Sequence, residues 1–343
     1  MPLEPASDVV RGWRWRRGRK TASTGAHRCY GTRVRALFFG TPAIAVPSLE
    51  ALHGLAEIVA VVCQPDRPAG RGLELKPPPV KVRALELGLT VVQPAKIRTP
   101  DFAQWARDAG ADVALVIAYG RILPLAILEA PRRGCLYLHA SILPKYRGAA
   151  PITWAVVRGE VETGVSLMQM DEGMDTGPVY TIHRIPIGPE TTADQLAVEV
   201  GALAADVVRA DVARVVAGEI AATPQDHAAA TTAPILEKEH GRIAWDRPAS
   251  AVHDHVRGMT SWPGAFTTAQ GKTLKVLESR VGDGAGQAGA PGTVVAASKQ
   301  GIDVACGLGT LRILRAQAEG RKPLGAAELV AGRTIAAGML LGG

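Results

Sequence analysis

The stretch VALVIAYGRILPLAILEAPRRGCLYLH, Val113 to His139, decides the fold. Val113–Ile117 is a short, unbroken apolar run, the pattern of a strand buried on both faces of a sheet. Pro124–Glu129 then reads as a helix and Cys135–His139 as a second apolar strand. The same alternation runs back toward the N-terminus. VRALFF (Val34–Phe39) is a strand ending in the turn Gly40-Thr41-Pro42, and a helical stretch follows through Leu52. Strand Ile58–Cys63, a long loop, helix Val80–Leu87, strand Thr90–Val92 and helix Asp101–Ala109 complete the series. Short apolar strands alternating with helices predict an α/β domain on a parallel, doubly wound sheet. Sites in such sheets lie at the carboxyl ends of strands, and His139 stands at one of them.

Working forward, Thr192–Val216 is an alanine-rich helix with Leu196, Val200, Leu203 and Val207 at helical spacing. IAATPQDHAAATTAP (Ile220–Pro234) is low in complexity and reads as a linker. Beyond it one helix, Ala249–Arg257, precedes short strands at Ala265–Thr268, Thr273–Glu278, Gly292–Ala296, Gly301–Cys306 and Leu311–Ala316. GDGAGQAGAPG (Gly282–Gly292) reads as a flexible hairpin loop between two of them. Strands at this spacing predict a small all-β barrel. The expected division is therefore an extension over 1–33, a catalytic domain over 34–219, a linker over 220–234 and a second domain over 235–343.

A chain of 343 residues, 47% of them hydrophobic, can fill two cores more readily than one. Its formal charge of +7 is unevenly placed. Residues 1–33 hold eight basic and two acidic residues, residues 34–233 hold 18 and 21, and residues 234–343 hold 13 and 9. The basic balance is thus weak evidence for a nucleic-acid partner, apart from the mild excess in the last third. Residues 1–33 have no apolar core of a secretory signal; an Arg-rich leader would suit an organelle transit peptide, against which Glu4 and Asp8 argue. They read as a disordered basic extension or as sequence upstream of the true start. A chain starting near Val34 is expected to keep its melting temperature and turnover; a large drop in Tm on truncation would show that the extension packs on the body. Cys29, Cys63, Cys135 and Cys306 are far apart and form no C-x-x-C pair, which fits a reduced, cytoplasmic compartment. No apolar run is long enough to span a bilayer, so no membrane partner is expected. No G-x-G-x-x-G or Walker A sequence occurs. His253 and His255 stand two apart on a helix, where their rings point to different faces; a solvated helix and no metal site are expected.

His139 is the first candidate for chemistry. Ser141-Ile-Leu-Pro144 and Arg147-Gly-Ala-Ala-Pro-Ile152 form a constrained loop after it. GVSLMQMDEGMDTGPV (Gly164–Val179) is a strand followed by an acidic, glycine-broken turn carrying Asp171 and Asp175. A carboxylate beside His139 would orient the ring and favour its protonated form. Such a pair can take a proton from an amine nucleophile and return it to a leaving nitrogen. Spacing alone leaves open whether either aspartate does this or only caps the turn.

HASILPKYRGAAPI together with MQMDEGMDTGPV resembles the signature of the 10-formyltetrahydrofolate-dependent formyltransferases. ALFFGTPAIAVPSLEAL (Ala36–Leu52), CQPDRPAGRG (Cys63–Gly72) and VRGMTSWPGAFT (Val256–Thr267) are similar to the branch of that family whose acceptor is a charged initiator methionyl-tRNA. The resemblance covers residues 34–343. It implies a Rossmann-like catalytic domain followed by an OB-like barrel that helps hold tRNA. It also implies 10-formyltetrahydrofolate as co-substrate, no metal, and His139 as catalytic histidine with Asp175 as its partner. Ser141, Ile142, Leu143 and Pro144 would line the folate site, and the stretch with Tyr119, Gly120 and Ile122 would form another wall. A monomer is the default expectation.

The family carries an asparagine two positions before the histidine, and here that position is Tyr137. An amide N–H there can donate to the oxyanion that forms when an amine attacks a formyl carbon. A phenol has one donor, but it is bulkier and farther from the backbone. Tyr137 could replace the amide as donor, could mark a weakened or specialised relative, or could be an error or an introduced change. It could also point into the core, since alternation puts residues 137 and 139 on one face without saying which. The loop Asp66–Arg83 holds five basic and two acidic residues, and Arg67, Arg71 and Lys76 are candidates for tRNA phosphate contacts. The competing functions are formylation of an amino-sugar nucleotide, hydrolysis of formyl-folate, and a weakened folate or tRNA binder.

Overall fold

The computed structural model describes residues 33–69, 74–282, 286 and 288–342. The expected extension, Arg71, and part of the Gly282–Gly292 loop lie outside the described residues. A seven-stranded sheet runs in the order Val179–Pro186, Glu162–Gln169, Cys135–His139, Val113–Ile117, Arg35–Gly40, Glu57–Val62, Val91–Val92. From Cys135–His139 onward the neighbours are parallel. The parallel sheet expected from the alternation is extended at one edge by two strands of opposite sense. Glu162–Gln169 runs antiparallel to Cys135–His139, and Val179–Pro186 antiparallel to it in turn. The reason for the last reversal is the connection: between those two edge strands lies only a turn, too short for a crossover, so the chain must reverse.

Alternate side chains of the central strands feed two separate cores, as a sheet covered on both faces requires. Phe38, Leu115, Leu136 and Leu138 pack against Leu49, Leu52, Leu196 and Val200 of the helices on one face. Leu37, Phe39, Val116 and Cys135 pack against Phe102, Ala106 and Ile127 on the other. Phe38 and Phe39 are fully buried, each contributing about 1.5–3 kcal/mol of apolar transfer. Phe39 also meets Tyr119 edge-on, with ring centroids 5.3 Å apart.

The helix expected over Thr192–Val216 is an α-helix over Ala193–Val207 and another over Ala213–Ala217, joined by a π-turn at Val208–Val212. Thr192 caps its start in a capping box with Gln195. Asp211, in the π-turn, is buried and accepts from Thr181 Oγ1 at 2.8 Å, with His183 Nε2 at 2.7 Å. Periodicity alone does not reveal the extra residue in the turn that accompanies these contacts.

The C-terminal unit is an antiparallel sheet in the order Phe266–Ala269, Lys272–Val281, Thr310–Ala318, Gly301–Ala305, Val294–Ser298. The end of the chain bridges its edges. Val294 N donates to Met339 O at 2.8 Å, and Gly342 N donates to Thr268 O at 2.9 Å. This closes the strands toward the barrel that their spacing predicts. The helix Ala249–Gly258 is not solvated as expected. His253 is 6% exposed and lies with Nδ1 3.1 Å from Ser279 Oγ and Nε2 3.3 Å from Pro189 O. Arg257, on the same face, donates to Thr191 O at 2.7 Å. Polar side chains enter this joint because each finds a partner there. No helix among the described residues is long and apolar enough to cross a membrane.

Candidate active site

His139 ends its strand and is 1% exposed. Its Nε2 lies 2.9 Å from Tyr146 O. A carbonyl only accepts, so Nε2 must carry the proton. That leaves Nδ1 as the nitrogen free to take another. Asp175 Oδ2 faces Nδ1 at 3.6 Å, beyond hydrogen-bond range but close enough for a carboxylate to stabilise a charged ring. The same oxygen accepts the Gly148 N–H at 2.7 Å, which fixes its direction.

The two aspartates left open by spacing have different surroundings. Asp171 accepts from Gly173 N at 3.1 Å and Thr176 Oγ1 at 2.8 Å, and so caps the acidic turn. Asp175, at φ +55, leaves that turn toward His139. Left-handed backbone is uncommon for a residue other than glycine, though aspartate tolerates it best.

The loop after His139 is held by contacts that its sequence does not announce. Tyr146 has φ +62, and its backbone N donates to Thr231 Oγ1 at 2.9 Å while its carbonyl meets His139. Ser166 Oγ donates to Ser141 O at 2.7 Å and accepts Leu143 N at 3.1 Å. Residues 220–234, which read as a linker, return across this loop. Thr232–Ala233 pairs in parallel with Arg147–Gly148. A Cβ on Gly148 would lie 2.6 Å from Ala233 O, so only glycine allows that approach. Gln225 Nε2 donates to Asp175 O at 2.9 Å and Gly177 O at 2.7 Å, and its Oε1 accepts from Arg147 Nη2 at 2.7 Å. Gln225, Tyr146 and Gly148 thus position the pair, and Ser166 holds the loop that follows His139. Gln225 sits in a stretch of low complexity and carries no sequence signal; Ser166 is visible only as a polar residue within an apolar strand.

Tyr137 shares the face of His139, with ring centroids 5.8 Å apart and planes tilted by 37°. It is half-buried and packs beside the core that holds Leu37, Phe39 and Tyr119. Desolvation, with the nearby Asp175 charge adding to it, pushes the phenol above its ordinary pKa, so it remains a protonated donor through the neutral range.

The residues proposed for folate have mixed settings. Ser141 is buried, and its Oγ donates to Lys145 O at 2.6 Å, within its own loop. Leu143 is buried, while Ile142 and Pro144 are half-buried. Tyr119 is buried, with only 2% of its surface exposed. Its carbonyl accepts from Thr41 Oγ1 at 3.0 Å and Gln64 Nε2 at 3.2 Å. Burial pushes its phenol up to about 12, and neither that hydroxyl nor Gln64 Oε1 has a hydrogen-bond partner among the described residues. Gly120, at φ +82, and Ile122 are exposed on the same edge of the sheet.

The basic loop is a short hairpin in which Arg67–Ala69 pairs antiparallel with Glu74–Lys76. Arg67 and Lys76 are exposed and directly opposite each other. Like charges in that position repel, and an anion between them would relieve the repulsion. The other described cations of the loop are committed: Lys81 pairs with Asp66 at 2.8 Å, and Arg83 with Glu50 and Glu86.

Comparison with known proteins adds an independent line. The family described as Formyl transferase matches residues 33–209, and Formyl transferase, C-terminal domain, matches residues 235–334. Methionyl-tRNA formyltransferase of Sorangium cellulosum is 72% identical over 310 residues, 90% of this chain and 100% of that protein. The enzyme of the same name from Myxococcus xanthus is 47% identical, over 90% of this chain and 97% of its own. In fold, the chain is similar to an N-formyltransferase from Helicobacter canadensis solved with folinic acid and dTDP-3-aminofucose. That likeness has a TM-score of 0.63 at 18% identity and covers 83% of this chain and 99% of the other.

Proposed function

The chain belongs to the formyl transferase family, and from that premise we propose that it moves the formyl group of 10-formyltetrahydrofolate to the α-amino group of initiator methionyl-tRNA. The observation that carries the chemistry is the pair of His139 and Asp175, with Nδ1 of the ring as the open nitrogen. The amine attacks the formyl carbon, forming a C–N bond and an oxyanion. Nδ1 takes the proton that the amine nitrogen must lose, and Asp175 faces the charge on the ring. The oxyanion collapses, the bond from carbon to N10 of the folate breaks, and the ring returns its proton to N10. No covalent link to the protein is needed. Buried polar atoms without partners at the carboxyl edge, Tyr119 Oη and Gln64 Oε1, support a polar ring such as a pterin entering there.

The acceptor is read from the identity to the Sorangium and Myxococcus relatives and from the facing cations of the hairpin, Arg67 and Lys76. Transfer of labelled formyl to methionyl-tRNA, run beside amino-sugar nucleotides, tests it. Labelling of the sugar alone would redirect the assignment to the other branch of the family, and release of formate without an acceptor would make the protein a hydrolase. Tyr137 favours a second reading, a weakened folate or tRNA binder, and absence of turnover with both acceptors would support it.

The hairpin gives a further expected result. Replacing Arg67 and Arg71 by alanine should weaken binding of charged tRNA. Its log–log salt dependence should flatten by roughly one to two units, about 0.9 for each phosphate that these side chains neutralise in the parent protein. Filter binding across a salt series measures both. Unchanged affinity and slope would make the hairpin a spectator.

A further inference from the structure

Tyr146, whose carbonyl meets His139 Nε2 at 2.9 Å, holds an unfavourable backbone conformation. Its φ of +62 lies in the left-handed region, which a residue with a bulky side chain populates about fivefold to thirtyfold less readily than glycine does. Tyr146 is buried, and its ring is gripped from two directions. Arg158 places its guanidinium 5.1 Å from the ring centroid. The phenol donates to Glu160 Oε1 at 2.8 Å. Both residues belong to the turn that ends the helix Pro151–Val157, where Arg158 N donates to Trp154 O and Glu160 N to Ala155 O, each at 3.0 Å. Each is tied down in turn. Arg158 Nη2 donates to Thr232 O at 3.1 Å, and Lys145 Nζ lies 3.5 Å from Glu160 Oε1. The chemistry described above uses neither Arg158 nor Glu160.

A neutral imidazole carries one proton, and the bond made by one ring nitrogen decides the state of the other. Two acceptors compete for the proton of His139. Asp175 Oδ2 stands 3.6 Å from Nδ1, and Tyr146 O stands 2.9 Å from Nε2. A carboxylate is the stronger acceptor, but at 3.6 Å it is out of hydrogen-bond range, so the carbonyl keeps the proton. That balance lasts only while the Tyr146 peptide keeps its φ. Its N–H is anchored on Thr231 Oγ1, so a change in φ swings the carbonyl away from Nε2. The proton would then pass to Nδ1, where it faces Asp175, and Nδ1 would have no lone pair for the proton of the attacking amine.

We propose that Arg158 and Glu160 are positioning residues: by clamping the ring of Tyr146 they hold its peptide in the left-handed conformation, and that peptide keeps the proton of His139 on Nε2. This rests on the reading of His139 Nδ1 as the proton acceptor. A pair of substitutions separates the clamp from simple packing. Tyr146→Ala removes the ring and keeps the backbone penalty, so kcat should fall by about fivefold to thirtyfold, the factor by which the competent conformation is depleted. Tyr146→Gly loses the same contacts without the penalty and should recover most of that loss. KM for both substrates should stay within about twofold, because neither variant removes a substrate contact. Nitrogen NMR of the full chain, labelled at histidine and recorded with the ring neutral, reads the tautomer directly; the His139 signals are those missing in His139→Gln. The parent should carry the proton on Nε2. Tyr146→Ala and the double variant Arg158→Met/Glu160→Ala should each show a share on Nδ1, and Tyr146→Gly should return toward the parent. A glycine variant no more active than the alanine one overturns the proposal, as does an unchanged tautomer in Tyr146→Ala. If Tyr146→Ala does not fold, the double variant, which leaves the loop intact, decides: an unchanged tautomer there overturns the proposal. A parent with its proton on Nδ1 would sink the Nδ1 reading itself and this inference with it; a parent protonated on Nε2 whose variants do not shift sinks the inference alone.

Discussion

His139→Ala is expected to lower kcat by about 10²–10⁴, the range for losing a positioned general acid–base, or roughly 3–5.5 kcal/mol of transition-state stabilisation. Nδ1 is the ring nitrogen left open once Nε2 donates to Tyr146 O, and Asp175 faces it. Asp175→Asn is the sharper companion to Asp175→Ala. An amide oxygen can still accept the Gly148 N–H that Asp175 Oδ2 receives at 2.7 Å, but it offers no charge to the ring. Asp175→Asn should therefore keep the loop folded and still lose most turnover. Because the two residues act as one unit, the double variant should cost little more than His139→Ala alone. Single-turnover transfer to charged tRNA, with circular dichroism to verify folding, measures this. Near-wild-type turnover in a folded His139→Ala protein would remove the histidine from the mechanism.

Much of the frame of this site is legible in the sequence because it rests on patterns that are local. Val113–Ile117 and Cys135–His139 are apolar throughout and emerge as strands with the bounds read from sequence. What is not legible is mostly nonlocal. Val179–Pro186 alternates half-buried and exposed positions and includes His183 and Arg184. It looks like an ordinary polar segment until the sheet edge that it completes is known. Of the residues that hold the loop, Tyr146 acts on His139 through a backbone carbonyl, which leaves no mark in a side-chain motif. Gln225 reaches Asp175 from 50 residues away in sequence. The choice between Asp171 and Asp175 likewise depends on which carboxylate the turn itself consumes, and Thr176 Oγ1 and Gly173 N occupy the first. The basic loop shows the same limit in reverse. Its sequence offers five cations, yet Lys81 and Arg83 are held by Asp66, Glu50 and Glu86, partners that spacing does not identify.

Restoring asparagine at Tyr137 is expected to raise kcat, by up to the ~10²–10³ that one oxyanion donor is worth. Tyr137 lies on the face of His139, with ring centroids 5.8 Å apart, so both side chains address the same volume. Burial and the Asp175 charge keep its hydroxyl protonated, so loss of the donor proton is not what limits it. Geometry is. A formyl oxyanion must form within about 3 Å of its donor while the formyl carbon stays within reach of an amine that Nδ1 can deprotonate. An amide carries its N–H close to the strand. A phenol carries its O–H at the far side of a rigid ring, which fills the space between. His139 is already only 1% exposed, and a smaller side chain at 137 would widen the approach to it. If crowding is the main effect, KM for the formyl donor should fall in Tyr137→Asn along with the rise in kcat; if donor placement is, kcat alone should move. Tyr137→Phe separates these further, because it removes the hydroxyl and keeps the ring. A Phe variant as active as the parent means that the hydroxyl contributes nothing to the oxyanion. A Phe variant that falls by about 10² or more, with Tyr137→Asn no better than the parent, would make the phenol the working donor of this site and overturn the expectation.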